Sequence, residues 1–557
     1  MMRLRLLAPV LASVLATLPA PPAAAADRTD PERLSSVTRE LASDAYGGRA
    51  PGTPGEARTV AYLERAFRDL GLEPAGEAGG YTQAVPMIRT QLGADGRFTA
   101  AGPKGEAVLA SGRDISVISL LPVDRITIEK APMVFVGYGV TAPERGWDDF
   151  KGADLKGKVA VFLINDPDFE AAATEPAAGK FGGRAATYYA RWTYKFEEAV
   201  RRGAVAALIV HQTEGAGYGW STVLASAGEG FDVARRTPSA ERLPLQGWLS
   251  AEASTRLFAS AGLDLEALRR QARTPDFRPV ELKGVTFSAS VGVTFSRFES
   301  RNVIARLPGR DRPDESVMIA AHWDAYGEGP PDAQGRRIRP GAADDALGVA
   351  GVLEAARLLK AGRRPERSVV FALWTAEERG LLGSEYFGAH PTVPLDRMAG
   401  NLTLDVLQTA GPARDVVLVG AGQSELDDLL AQVARRQNRT VTPDARPERA
   451  LYFRADHFSL ARRGVPALLL MGLGGGADLV QGGRAAGDAW VTRYTDDCYH
   501  KACDAWSPDW DLRGAAADVD LVVDMTRALA RPGVWPDWRA GSEFRDLRAQ
   551  TAGSRRR

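Results

Sequence analysis

Two adjacent acids, Asp344 and Asp345, stand in "GAADDALGVAG" directly ahead of an expected helix over 345–360. Capping alone would justify them, because a helix start offers unpaired amides and a positive dipole end. Other polar groups along the chain make a second use available. "IAAHWDAYG" closes an apolar run with His322 and Asp324, two residues apart and so on one face of a strand. A carboxylate placed there can hydrogen-bond one imidazole nitrogen and leave the other for a metal. "LWTAEERG" sets Glu377 and Glu378 side by side past another apolar run, which would give one ligand and one base nearly together. Asp405 interrupts the apolar "NLTLDVL", where a carboxylate needs a cation or several donors to be buried. "YFRADHFSLARRGVPA" adds Asp456 and His457, and "CYHKACDAW" adds His500 and Asp504; a surface loop would explain either pair.

Imidazole and carboxylate donors without thiolates suit zinc, with manganese or cobalt as alternatives. The number of carboxylates points to two ions, about 3.5–4 Å apart in a hydrolytic site. Competing chemistries are missing: there is no G-x-S-x-G elbow, Walker-type phosphate loop or H-E-x-x-H helix. Of the five histidines, His211 and His390 have no acidic partner at useful spacing and read as structural or solvated.

The elements that must position these groups alternate regularly in the second half. Strands are expected at 315–321, 367–374, 399–407, 414–420 and 465–472, and helices at 345–360, 378–389 and 423–437. Apolar strands between amphipathic helices imply a largely parallel sheet covered on both faces, whose ligands bind beyond the carboxyl ends of the strands. Upstream, strands at 131–140, 157–166 and 204–211, with a helix ending at Gly203, suggest a separate smaller unit.

At 557 residues the chain is long enough for two or three domains. Its 70 basic and 70 acidic residues leave no electrostatic footprint for nucleic acid or an anionic membrane. Arg3 and Arg5, an apolar run over 6–18 and small residues ending near Ala26 have the layout of a secretory signal peptide. No other stretch reaches the roughly 20 apolar residues of a membrane span, so a secreted or periplasmic protein without stable membrane insertion is expected. In an oxidising compartment the two cysteines, Cys498 and Cys503, would close a small loop around His500; free thiols or metal ligands are the alternatives.

Taken in order, "AHWDAYG", "PGAADDALG", "TAEERGLLGS", "NLTLDV", "ADHFSLARRGVPA" and "YHKACDAW" resemble the motifs of the zinc aminopeptidases of metallopeptidase family 28. The resemblance spans about 30–535 and departs at Leu347 and Lys501, neither of them a ligand position. It implies an α/β zinc-exopeptidase fold (phosphorylase/hydrolase-like), with a mixed, mainly parallel sheet flanked by helices and an inserted protease-associated domain. The implied layout is a signal peptide at 1–26, an N-terminal part of the peptidase domain at 27–125 and the inserted domain at 126–292. The catalytic domain would occupy 293–535, followed by a C-terminal tail at 536–557.

By the same resemblance Asp344 would bridge two zinc ions. His322 and Asp405 would complete one site, and Glu378 and His500 the other. Glu377 would be the general base acting on a metal-bridging water, and Asp324 would orient His322. Asp345 would support the helix start, and Tyr452 would lie near the reacting carbonyl. The implied activity is removal of N-terminal residues from peptides with a free N-terminus, with protein contact through the inserted domain as a further role. A carboxypeptidase or dipeptidase, a glutaminyl cyclase and a non-catalytic receptor-like binding protein are the alternatives.

Overall fold

The computed structural model describes residues 28–555 apart from Lys104 and Ala227. The expected signal segment at 1–26 lies outside the described residues. Two helices, α1 (Pro31–Leu41) and α2 (Pro54–Asp69), come first. The Asp30 side chain accepts the Glu32 amide at 3.0 Å and Pro31 opens α1, a favourable pairing because proline lacks an amide the helix could not use. Strand β1 (Thr82–Leu92) follows, then the smaller unit: β2 (Arg125–Phe135), β3 (Val159–Leu163), α3 (Trp192–Arg201), β4 (Ala206–Val210) and β5 (Leu245–Leu249). The strand expected at 131–140 ends earlier, because Gly137 and Gly139 take positive φ and turn the chain.

Strands β2, β3, β4 and β5 run parallel in that order. Their apolar residues build a core of their own, including Met133, Val161, Leu208 and Leu249. Strand β6 (Val280–Leu307) then runs through both units. Its first half pairs with β2, and from Val293 to Val303 it pairs antiparallel with β1. The boundary expected at 292/293 therefore falls inside one continuous strand.

The second half holds β7 (Arg312–His322), α4 (Leu347–Ala361), β8 (Arg367–Trp374), α5 (Leu382–Ala389) and β9 (Met398–Asp405). It continues through β10 (Asp415–Val419), α6 (Leu426–Arg436), β11 (Ala467–Met471) and α7 (Arg513–Leu529). Strands β8, β7, β9 and β11 are parallel in that order, with β6 antiparallel at one side and β10 at the other. The result is a mixed α/β fold around a large, mostly parallel central sheet. Both β8 and β9 are buried along their whole length, as their unbroken apolar character requires of central parallel strands.

Helices α1, α2, α4 and α7 cover one face, and α5 with the segment around Leu460 covers the other. Gly351 lets α4 seat closely: a Cβ there would lie 2.7 Å from Leu404 and 3.0 Å from Val519. Helix α5 starts four residues later than expected, since Ala376 and Leu381 hold positive φ and keep the two glutamates in a turn. The segment beyond 535 is no free tail. Trp538 and Phe544 are buried, and the Arg548 guanidinium donates to the Met398 carbonyl at 2.9 Å. Among the described residues no helix is long and apolar enough to cross a membrane.

Candidate metal centre

Because β7, β8 and β9 are parallel neighbours, their carboxyl ends open at one margin of the sheet. His322 is the last residue of β7, Asp405 is the last of β9, and Glu377 and Glu378 follow β8 by three and four residues. Asp344 arrives from the segment before α4, and His500 from the loop before α7. Two triads result, His322–Asp344–Asp405 and Asp344–Glu378–His500; within each, the donor atoms lie within 4.8 Å of one another. Asp344 belongs to both. Its Oδ1 is 3.1 Å from His322 Nε2 and its Oδ2 is 3.3 Å from His500 Nε2, while Glu378 Oε2 is 3.2 Å from that same nitrogen.

The two adjacent acids divide their work. Both have non-helical backbone angles, and the peptide bond joining them is cis. The Asp345 carboxylate accepts the Gly348 amide at 2.9 Å and the His322 amide at 3.3 Å, so it serves the start of α4 while Asp344 points into the triads. Any Cβ at Gly348 would collide with that carboxylate.

Asp324 differs from expectation. The Nδ1–H of His322 donates to the backbone carbonyl of Asp324 at 3.1 Å, whereas the Asp324 carboxylate stands 3.6 Å from that nitrogen, too far for a hydrogen bond. The carboxylate instead accepts the amides of Glu377 at 3.0 Å and Glu378 at 3.4 Å, fixing the turn that carries both. Tyr452 is not brought into the group. Its ring is buried in a neighbouring apolar cluster and its hydroxyl donates to the Ala467 carbonyl at 3.2 Å.

Asp456, His457 and Asp504 are not surface-loop residues either; all three are buried. Asp504 accepts the amides of Ala343 at 2.9 Å and Asp344 at 3.2 Å and the Tyr494 hydroxyl at 3.0 Å, which holds the backbone presenting Asp344. Arg49, wholly buried, donates to the carbonyls of Trp323, Leu41, Pro340 and Gly341 at 2.6–2.9 Å and so ties the His322 loop to the Asp344 loop. Tyr499 lies against His500, with ring centres 3.6 Å apart. His211 is buried with Nε2 3.1 Å from the Tyr218 carbonyl, and His390 is exposed against Tyr386; neither approaches the triads.

The electrostatics favour bound cations. Burial, then the charges of Asp456, Asp405 and Asp344, hold Glu377 well above the ordinary carboxylate range despite His322. Burial with Asp344 and Glu377 does the same to Glu378. For Asp344 the burial effect is outweighed by His322 and His500, and its carboxyl is lowered. Oδ1 of Asp405 is buried without any hydrogen-bond partner. His322 makes the same demand: with Nδ1 donating to a carbonyl, Nε2 can face Asp344 only with a proton or a cation there. Two nitrogen and four oxygen donors, one carboxylate being shared, are of the kind that holds zinc-type ions.

Two residues beside these donors, Ala376 and Val406, and the donor His500 itself hold positive φ of 53°, 46° and 61°, a region that side chains disfavour. A disulfide between Cys498 and Cys503 closes the loop that holds His500 in this conformation. Cys503→Ser is therefore expected to weaken metal retention by the triad containing His500, by about 10–100-fold, the range seen when support around a ligand is lost. Competition against a chromogenic chelator measures this; equal retention by both proteins would rule the loop out as a support.

Residues 302–523 match the model of Peptidase family M28. Among curated proteins, the chain is 28% identical over 238 residues to leupeptin-inactivating enzyme 1 of Streptomyces exfoliatus, covering 40% of this chain and 48% of that protein. It is 33% identical over 130 residues to carboxypeptidase Q of Rattus norvegicus, covering 23% and 24%. The chain thus spans about half or less of these relatives. An aminopeptidase structure from Aneurinibacillus sp. strain AM-1 superposes with a TM-score of 0.50 at 20% identity, covering 91% of this chain and 96% of that one, which is a likeness of fold.

Proposed function

We propose, from the premise that the chain carries a Peptidase family M28 domain at residues 302–523, that it is an exported zinc-dependent aminopeptidase with two ions per chain. The observation behind this reading is the convergence of two donor triads on the single carboxylate of Asp344. His322, Asp344 and Asp405 would hold one zinc ion, and Asp344, Glu378 and His500 the other. Bound there, zinc supplies Lewis-acid polarisation of a carbonyl and brings the pKa of water from 15.7 toward about 7.

The chain's own groups do the rest. Glu377 stands outside both triads with its amide held by Asp324, so its carboxylate is left to take a proton from the attacking water and return it to the departing amine. Tyr499 takes the part first expected of Tyr452. Burial, then the charges of Asp344, Glu378 and Asp405, raise its hydroxyl well above its usual range despite Arg454. It stays protonated and can donate to charge developing on the carbonyl oxygen. Export is supported by the residue pattern at 1–26 and by the disulfide, which suits an oxidising compartment. The unit between β1 and the second half of β6 would be the protease-associated domain.

A panel of peptides with free or acetylated N-termini tests this. Those with a free amine should be hydrolysed, the acetylated ones spared, and the activity lost on dialysis against a chelator and restored by zinc. Failure to cleave any member at full zinc loading would overturn the proposal.

A further inference from the structure

The two histidines of the donor triads are held in different ways. Nδ1 of His322 donates to the Asp324 carbonyl, the kind of second bond that ordinarily fixes a metal-binding imidazole. Nδ1 of His500 makes no hydrogen bond to any described residue. Its ring is packed instead, with centres 3.6 Å from that of Tyr499 and 4.4 Å from that of Tyr326. Tyr499 is the adjacent residue and travels with the same loop. Tyr326 follows β7, where Gly327 pairs with Arg339, and so ties the imidazole to another part of the sheet margin.

Tyr326 is backed in turn by a cation. Arg379, directly after Glu378, places its guanidinium carbon 5.0 Å from the centre of the Tyr326 ring and 4.8 Å from that of Phe231. A cation over an aromatic face is attracted to it. The Arg379 guanidinium has no hydrogen bond or ion pair among the described residues, so these two rings are what hold it.

Phe231 belongs to the smaller unit. Its strand, Glu229–Val233, lies between β4 and β5 in sequence but pairs antiparallel with β1, which sets Phe231 opposite Arg89. The strand is secured where it lies: the Ala234 amide donates to the Pro86 carbonyl at 2.7 Å, and Arg235 donates to Glu385 of α5 at 3.2 Å. Arg235 and Arg242 both donate to buried Asp232, at 2.8–3.2 Å. A fixed ring of the smaller unit thus leads by packed contacts, through Arg379 and Tyr326, to the imidazole of His500.

We propose that Phe231 is a positioning residue for the metal triad containing His500, an assignment that rests on the two-ion reading above. It keeps Arg379 against Tyr326 and Tyr326 against His500, and this packing replaces the hydrogen bond that His500 lacks. The smaller unit thereby sets how tightly one of the two ions is held.

Stepwise zinc competition against a chromogenic chelator, on the full chain, gives a dissociation constant for each ion. Histidine labelled with carbon-13 in the ring shows which imidazole is bound, since the chain has only five. Phe231→Leu should raise by about 10–100-fold the constant of the ion that His500 binds, the usual cost of lost support around a ligand, and leave that of the His322 ion unchanged. In the metal-free protein it should also shift the His500 ring signal, whose position depends on the neighbouring rings. Phe231→Tyr, which keeps the ring, should restore both. Arg379→Met breaks the same link from the other unit and should repeat the result, so a folding defect in one variant leaves the other informative. Unchanged zinc constants in both Phe231→Leu and Arg379→Met, or an equal loss at both ions, would overturn the assignment. A parent protein that takes up fewer than two zinc ions would sink the two-ion reading instead. The metal-free signal then decides the packing: unmoved in both variants, it overturns the role of Phe231.

Discussion

Glu377→Gln is expected to lower kcat by about 10²–10⁴-fold, the usual contribution of a positioned general base, while leaving zinc content unchanged. The separation of the two readouts follows from geometry. Glu377 is in neither donor triad, and its Oε2 lies 4.0 Å from His322 Nε2. Its backbone amide, which Asp324 anchors, is untouched by the substitution. Glutamine keeps the shape and burial of the side chain and relieves the crowding of negative charge around it, but it cannot accept a proton. Steady-state kinetics with metal analysis of the same preparation checks this. A variant retaining more than about a tenth of the parent kcat would remove Glu377 from the chemistry.

Asp344→Asn should have the second large effect, and of a different kind. Its two carboxylate oxygens face different histidines, so one substitution weakens both triads at once. Support around a metal ligand is itself worth about 10–100-fold in affinity; a ligand common to two sites should cost at least that at each. Asp405→Asn and Glu378→Gln each touch a single triad and serve as controls that should retain one ion better than the other. Zinc per chain after dialysis against a weak chelator, with activity in parallel, distinguishes these patterns. Loss of only one ion from Asp344→Asn would contradict its shared position.

Much of the centre was legible because polar residues break apolar runs at the ends of strands. His322, Asp405 and the paired glutamates are conspicuous for that reason, and parallel neighbours necessarily bring strand ends together. What could not be read depends on long-range packing. Arg49 secures two loops from 274 and 292 residues away, and a lone arginine between helices carries no local signal of such a task. Asp504 looks like a loop acid until its carboxylate is seen holding the Asp344 backbone. The turn after β8, with Ala376 and Leu381 at positive φ, also escapes helical periodicity, which is why α5 was expected too early. Tyr452 differs for a related reason: the resemblance implied a place near the reacting carbonyl, but the ring packs against Phe453 and His457 and its hydroxyl donates to Ala467.

Strand β6 belongs to both sheets, paired with β2 along its first half and with β1 and β8 along its second. A lobe hung on ordinary linkers would swing like a lid, whereas this one is spliced into the margin of the central sheet through a hydrogen-bonded girder. Gaping would demand torsion of that whole ribbon and the rupture of ladder bonds. The smaller unit is accordingly anchored to the central sheet by continuous backbone pairing along Val280–Leu307 rather than by a flexible tether.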